Sequence, residues 1–172
     1  MLLAGLIREA TLSADRRYRY TLLRRWGPKE GGVGWIMLNP STADAEVDDP
    51  TIRRCMVFTQ RLGFDAMLVV NLFALRATDP DEVYQAEDPT GPENGLWVRK
   101  ACHQSKLLIA AWGAVPKKMK RGVEAVVKII ENEGYRLKCL GKTRNGQPRH
   151  PLYLRSDAPL MDWSGIDREG KS

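Results

Sequence analysis

The stretch VGWIMLNPSTAD, Val33 to Asp44, decides how this chain is read. An apolar run through Val33, Trp35 and Ile36 stops abruptly at Asn39-Pro40-Ser41, and DDPT follows at Asp48 to Thr51. An apolar strand that ends this way delivers polar groups to the edge of a sheet. In open α/β sheets, ligands bind at that edge. Pro40 fixes its own φ and disfavours helix at Asn39, which places the Asn39 side chain at a rigid exit from the strand. The plainer alternative is an Asx-turn that only ends a strand.

Outward from this stretch, strand and helix alternate. Upstream, YRYTLLRRW (Tyr18 to Trp26) has the aromatic and β-favouring content of a strand, and a turn-rich loop spans Pro28 to Gly32. Downstream, Asp49-Pro50 reads as an N-cap with proline in the first helical turn. Ile52, Cys55, Met56, Thr59 and Leu62 recur at helical spacing, and Gly63 stops the helix. Ala66 to Val70 is a second buried strand, and it too ends in an asparagine, Asn71. Residues 77–95 form a long acidic, proline-rich connection with a helical turn near Glu82 to Ala86. A helix from Asn94 to Ser105 leads to a strand, Leu107 to Ala111, that ends in Trp112-Gly113. A helix from Lys117 to Glu133 and a strand from Tyr135 to Leu140 follow. A Gly-Lys-Thr-Arg-Asn-Gly loop then leads to His150-Pro151 and a short strand, Leu152 to Leu154.

This alternation predicts an α/β three-layer sandwich with a mostly parallel central sheet and helices on both faces. One domain is expected over residues 1–172, with its core in 18–155 and a loose tail in 156–172. Three strands end in Asn39, Asn71 and Trp112-Gly113. A parallel topology puts all three ends on one carboxyl edge, within reach of the loop that carries His150.

Composition limits the partners. The 43% hydrophobic and 28% charged content is that of a globular protein. No apolar run is long enough to cross a bilayer, and MLLAGLIREA lacks the basic start and cleavage pattern of a signal peptide. Three dispersed cysteines (Cys55, Cys102, Cys139) argue against a disulfide framework and for a reducing, cytoplasmic setting. With no CxxC pair and two histidines, neither a metal nor another cofactor is expected. The formal charge of +6 is concentrated: residues 117–149 hold ten basic and three acidic side chains. That segment points to a phosphate-rich partner, nucleic acid or nucleotide, or else to a solvated helix face and loop. No membrane partner is expected.

The side chains at the predicted edge suit a nucleobase. A carboxamide offers a donor and an acceptor side by side, matching a base's amide edge. An imidazole can hydrogen-bond to a leaving base that gathers negative charge. A carboxamide near the sugar can position water, although it is not a strong base.

Two resemblances meet on these residues. LNPSTAD, DDPTIRRC, VVNLFALRATDP, AAWG and GQPRHPLYL resemble the signatures of a bacterial and phage family known as domain of unknown function 1643, from YRY near Tyr18 to about Leu154. The order of strand-end motifs resembles, more distantly, the uracil-DNA glycosylase superfamily. Its first motif, Gly-x-Asn-Pro-Gly, has Met37 to Ser41 in its place; the second ends in a base-reading asparagine, here Asn71; the third is Trp112-Gly113; the fourth, His-Pro-Ser, is His150-Pro151-Leu152. The resemblance implies that Asn39 positions the attacking water, that His150 stabilises the departing base and that Asn71 selects it. Phe73 would stack on the base, within a substrate pocket that includes Pro40, Ser41, Trp112 and Gly113. Lys142, Arg144 and Arg149 would meet phosphate. Met37 and Ser41 replace the first motif's glycines and crowd the backbone there, and Leu152 replaces the serine of the last.

Two other classes remain open. One is a nucleic-acid-binding module on the same fold without cleavage. The other is magnesium-dependent phosphoryl chemistry at Asp44, Asp48 and Asp49, for which helix capping is the competing account. Arg53 and Arg54 would reach phosphate or face solvent, and Cys55 and Cys139 read as core.

Overall fold

The computed structural model describes residues 5–165. Among them, seven strands form one mixed sheet: β1 (Ile7–Leu12), β2 (Arg19–Arg25), β3 (Val33–Met37), β4 (Ala66–Asn71), β5 (Leu107–Ala110), β6 (Leu137–Cys139) and β7 (Met161–Asp162). The helices are α1 (Pro50–Arg61), α2 (Pro80–Gln85), α3 (Asn94–Gln104) and α4 (Lys120–Asn132), with 3-10 turns at Lys117–Met119 and Pro151–Tyr153. The spatial order is β1-β2-β4-β3-β5-β6-β7. The four strands β4, β3, β5 and β6 run parallel. β2 and β1 add antiparallel on one side and β7 on the other.

The fold is therefore α/β, but the sheet is mixed rather than mostly parallel. A short connection joins β1 to β2 as an antiparallel hairpin, which then docks by β2 on the edge of β4, whereas the crossover helices α1, α3 and α4 keep the central four strands parallel. β1 carries no buried side chain and packs as an edge, so its IREATL sequence lacks the apolar run that marks a central strand. The segment expected as a strand at Leu152 to Leu154 is instead a 3-10 turn that begins at Pro151. Residues 156–165, read as the start of a loose tail, carry β7 and the buried Trp163, whose indole N–H donates to the Gly146 carbonyl at 2.9 Å. The rest of that tail lies outside the described residues.

Strand side chains alternate and fall mainly into two cores, with a smaller cluster of Tyr18, Tyr20 and Ala74 beside them. One joins Trp35, Val69 and Ile109 to Ile52, Cys55 and Phe58 of α1. The other joins Ile36, Val70 and Leu108 to Val98 and Ala101 of α3 and to Val123, Val126 and Ile130 of α4. Each large apolar side chain removed from water contributes roughly 1.5–3 kcal/mol. Local signals set the helix ends: Asp49 caps α1 by accepting the Ile52 N–H at 2.9 Å, with Pro50 in the first turn. Gly63 follows α1 at φ +84°, a left-handed position that disfavours other residues.

Parallel pairing brings the strand ends together. Met37 of β3 stands opposite Asn71 of β4, and Ile36 stands opposite Ala110 of β5. The chain continues the ladder past the strands, with Phe73 N–H on the Leu38 carbonyl at 3.0 Å and Ala111 N–H on the Ile36 carbonyl at 2.9 Å.

Candidate functional site

A cavity of about 320 Å³ opens at this carboxyl edge, and Asn39, Ser41, Asn71, Trp112 and His150 all line it. Residues from four separate strand ends and loops thus share one space, at the small end of the range for ligand sites, ~300–1,000 Å³.

Each of the three polar side chains is held differently. The Asn39 amide nitrogen donates to the carbonyls of Pro40 at 2.8 Å and Ala77 at 2.9 Å. These bonds identify which end of the carboxamide is nitrogen and leave its oxygen as the free acceptor. Asn71 is 1% exposed, and neither its nitrogen nor its oxygen has a hydrogen-bond partner. A buried carboxamide with both functions idle is costly, about 1–3 kcal/mol for each unsatisfied group. The ring of His150 accepts the Leu152 N–H on Nδ1 at 3.2 Å. The ring proton of the neutral form must then lie on Nε2, which makes that nitrogen a donor. Burial pushes the His150 pKa below the usual imidazole range, against the pull of Asp49, and so favours this neutral donor form.

Other residues expected at the site lie elsewhere. Phe73 is buried in the core with α3 and α4, where a Cβ at Gly122 would meet its ring at 2.5 Å, and it does not line this cavity. Pro40 is buried behind the cavity and supplies the carbonyl that Asn39 grips. Gly113, at φ +76°, backs His150, and a Cβ there would stand 3.4 Å from that of the histidine. Lys142, Arg144 and Arg149 are exposed on the loop before His150 and do not line the cavity. The alternation rule placed the strand-end residues because they share a ladder. The loop after β6 has no such constraint.

The three aspartates of the DDPT region have structural partners. Asp44 accepts the N–H groups of Glu46 and Val47, at 2.8 and 2.9 Å. Asp48 pairs with Arg24 at 2.7 Å and with Arg8 at 3.3 Å, and Asp49 caps α1. Among the described residues, no group of three or more His, Cys, Asp or Glu side chains could hold a metal ion. Nor is any helix there long and apolar enough to cross a membrane. Cys55, Cys102 and Cys139 are free and buried, and burial raises each thiol pKa.

The cavity also contains residues that local sequence did not single out. Asp49 lines it; one carboxylate oxygen caps α1 and the other makes no hydrogen bond to the described residues. Arg19 lines it from the start of β2 and is 2% exposed. Arg54, on α1, reaches away from the cavity to the loop beyond His150. It donates to the carbonyls of Leu154 and Pro151 and to the Ser156 hydroxyl, and it stacks 4.8 Å over the Phe58 ring. Arg54 therefore positions the segment that carries the histidine rather than meeting phosphate. The sequence offered phosphate or solvent for this side chain, and the loop partners it takes lie about a hundred residues further along the chain.

No curated protein and no solved structure matches the chain. Residues 19–152 match the family model described as Protein of unknown function (DUF1643), a span that begins at the cavity arginine and ends just past the cavity histidine, and the chain belongs to that family.

Proposed function

We propose that the cavity recognises a nucleobase in nucleic acid or in a nucleotide and that the protein hydrolyses the N-glycosidic bond of that base, on a three-layer fold like that of the uracil-DNA glycosylases. The observation that carries this reading is the buried Asn71 carboxamide. Its donor and acceptor are both unpartnered at the floor of a cavity that Asn39 and His150 also line. A base edge that presents an acceptor beside a donor completes both. A base from a polymer would leave the stack to reach it.

Each group has a place in the reaction. The Asn39 oxygen accepts a hydrogen bond from water and orients it toward the anomeric carbon. The free oxygen of Asp49 is the acceptor for the proton that this water loses. As the carbon–nitrogen bond breaks, its electron pair leaves with the base, and the His150 Nε2–H donates to the base where negative charge gathers. Lys142, Arg144 and Arg149 lie outside the cavity and would meet the phosphates of a polymer. The two cores that separate α1 from α3 and α4 support the layered fold.

The test is base release from DNA carrying uracil and a panel of modified bases. Release is expected from at least one substrate and is lost in Asn39→Ala and His150→Ala. No release across the panel, together with no binding, overturns the reading. A second reading, binding without cleavage, is favoured by the commitment of the Asn39 nitrogen to two structural carbonyls. A salt-dependent affinity that survives both substitutions, with no turnover, selects it.

A further inference from the structure

Two arginines on β2 are buried, and they are treated in opposite ways. Arg24 has its charge met by Asp48 at 2.7 Å and its remaining nitrogens by the carbonyls of Leu23, Asp44 and Val47. Arg19 makes no salt bridge among the described residues, and its Nη1 donates to a single carbonyl, that of Ala43. Its Nε is buried with no partner. An unpaired guanidinium in a low-dielectric interior is among the most expensive groups a fold can carry.

The backbone directs this charge into the cavity. Alternation from Leu22, which packs against the α1 core, would place Tyr20 on that side and Arg19 on the other. The register with β1 shifts here: Thr11 pairs with Thr21, but Leu12 pairs with Arg19, and Tyr20 is the extra residue. The irregularity exchanges the two faces. Tyr20 stacks beside Trp97 of α3, and Arg19 reaches Ala43 and the cavity lined by Asn39, Asn71 and His150. Bulges recur next to functional sites because they re-aim a side chain in this way.

We propose that Arg19 is an oxyanion receptor within the cavity: the ligand brings a negatively charged oxygen to its unpaired guanidinium. The fork geometry of arginine suits an oxyanion with two oxygens, such as a phosphate or a carboxylate. Two sources have this chemistry, the phosphate of a nucleotide and an anionic oxygen on the base itself. Burial holds the Arg19 pKa down to about 10, with the repulsion of Arg76 and Arg24 and against the attraction of Asp49 and Asp44; the group is still charged at neutral pH, and neither carboxylate makes an ion pair with it among the described residues. The inference deepens the reading of the cavity as a base site, but it stands without cleavage.

Titration of the full-length protein with inorganic phosphate, a nucleoside 5′-monophosphate, the matching neutral nucleoside and orotate, a pyrimidine carboxylate, tests it. The readouts are tryptophan fluorescence, to which the cavity residue Trp112 contributes, and thermal shift. At least one anion is expected to bind, at least tenfold more tightly than the neutral nucleoside. Arg19→Gln weakens that anion at least tenfold, and Arg19→Lys weakens it less. Binding of phosphate and monophosphate assigns the oxyanion to phosphate, whereas binding of orotate alone assigns it to the base. Equal affinity in wild type and Arg19→Gln overturns the proposal, as does an affinity that falls only in Lys142→Gln/Arg144→Gln, which places the anion on the outer loop. Absence of anion binding altogether also overturns it. Circular dichroism of Arg19→Gln separates lost binding from lost fold. Loss of base release with anion binding intact refutes glycosidic hydrolysis and leaves this inference standing.

Discussion

Replacing Asn71 by leucine is expected to stabilise the protein and to abolish recognition. Asn71 is 1% exposed, and both of its side-chain polar atoms are unpartnered. Each such atom carries a desolvation cost of about 1–3 kcal/mol, so removing both relieves roughly 2–6 kcal/mol. Leucine is close in size but differs in shape, and a misfit of this kind costs up to about 1.5 kcal/mol. Its methyl groups would sit beside Val69 and Met37, which are already apolar. The net expectation is a gain of about 2 kcal/mol. In a chain of 172 residues that is a rise in Tm of about 4–8 °C, at ~2–4 °C per kcal/mol. Urea unfolding followed by far-UV circular dichroism measures it, as a higher midpoint at an unchanged slope. The same variant should lose base binding or release. A loss of more than about 1 kcal/mol, judged against that 2 kcal/mol gain, would refute the reasoning, because it means that the carboxamide has a structural partner in the folded chain.

Three more outcomes follow from other residues. Asn39→Asp turns a donor to the Pro40 and Ala77 carbonyls into a repelling oxygen, and should cost about 2–4 kcal/mol in urea unfolding; an unchanged midpoint removes the anchoring role assigned to the Asn39 nitrogen. The pKa of His150 is lowered in the folded state, so the unfolded chain binds more protons just below pH 6.5. Stability should then fall as pH drops from 6.5 toward the depressed value, and His150→Gln should flatten that fall; identical pH profiles for the two proteins contradict the assignment. Gly122→Ala places a Cβ 2.5 Å from the Phe73 ring within α4, and the strain of about 1–3 kcal/mol should exceed the ~1 kcal/mol gained in helix propensity; a stabilised variant would show that the ring moves freely.

The helices and central strands were legible because their signals are local. Asp49-Pro50 and Gly63 bracket α1, and the apolar runs at Val33 and Ala66 mark strands buried on both sides. β1 was not legible, because an edge strand with exposed side chains carries no such run, and β7 is two residues long. Of the site, Asn39, Asn71 and Trp112 were named from their positions at strand ends and His150 from the loop after the last parallel strand, and they do share one cavity. Phe73 lies beyond the end of β4, and its ring packs in the core against Gly122 of α4 rather than lining the cavity, a contact between residues far apart in sequence.

By itself the sequence determined the order of the central elements, from β2 to β6, and the polar termini of the parallel strands, since both depend on periodicity and on residues adjacent in the chain. The tertiary structure decided which of those polar groups remain unspent. Asp48 is spent on Arg24 and Arg8, Arg54 on the loop beyond His150, and one end of Asn39 on two carbonyls. Asn71 has no partner and Arg19 too few, and Arg19 enters the cavity only because the register of β2 shifts by one residue. Whether a polar side chain is available to a ligand depends on what surrounds it in space. Those neighbours come from strands and loops far away in sequence, so no local pattern records them.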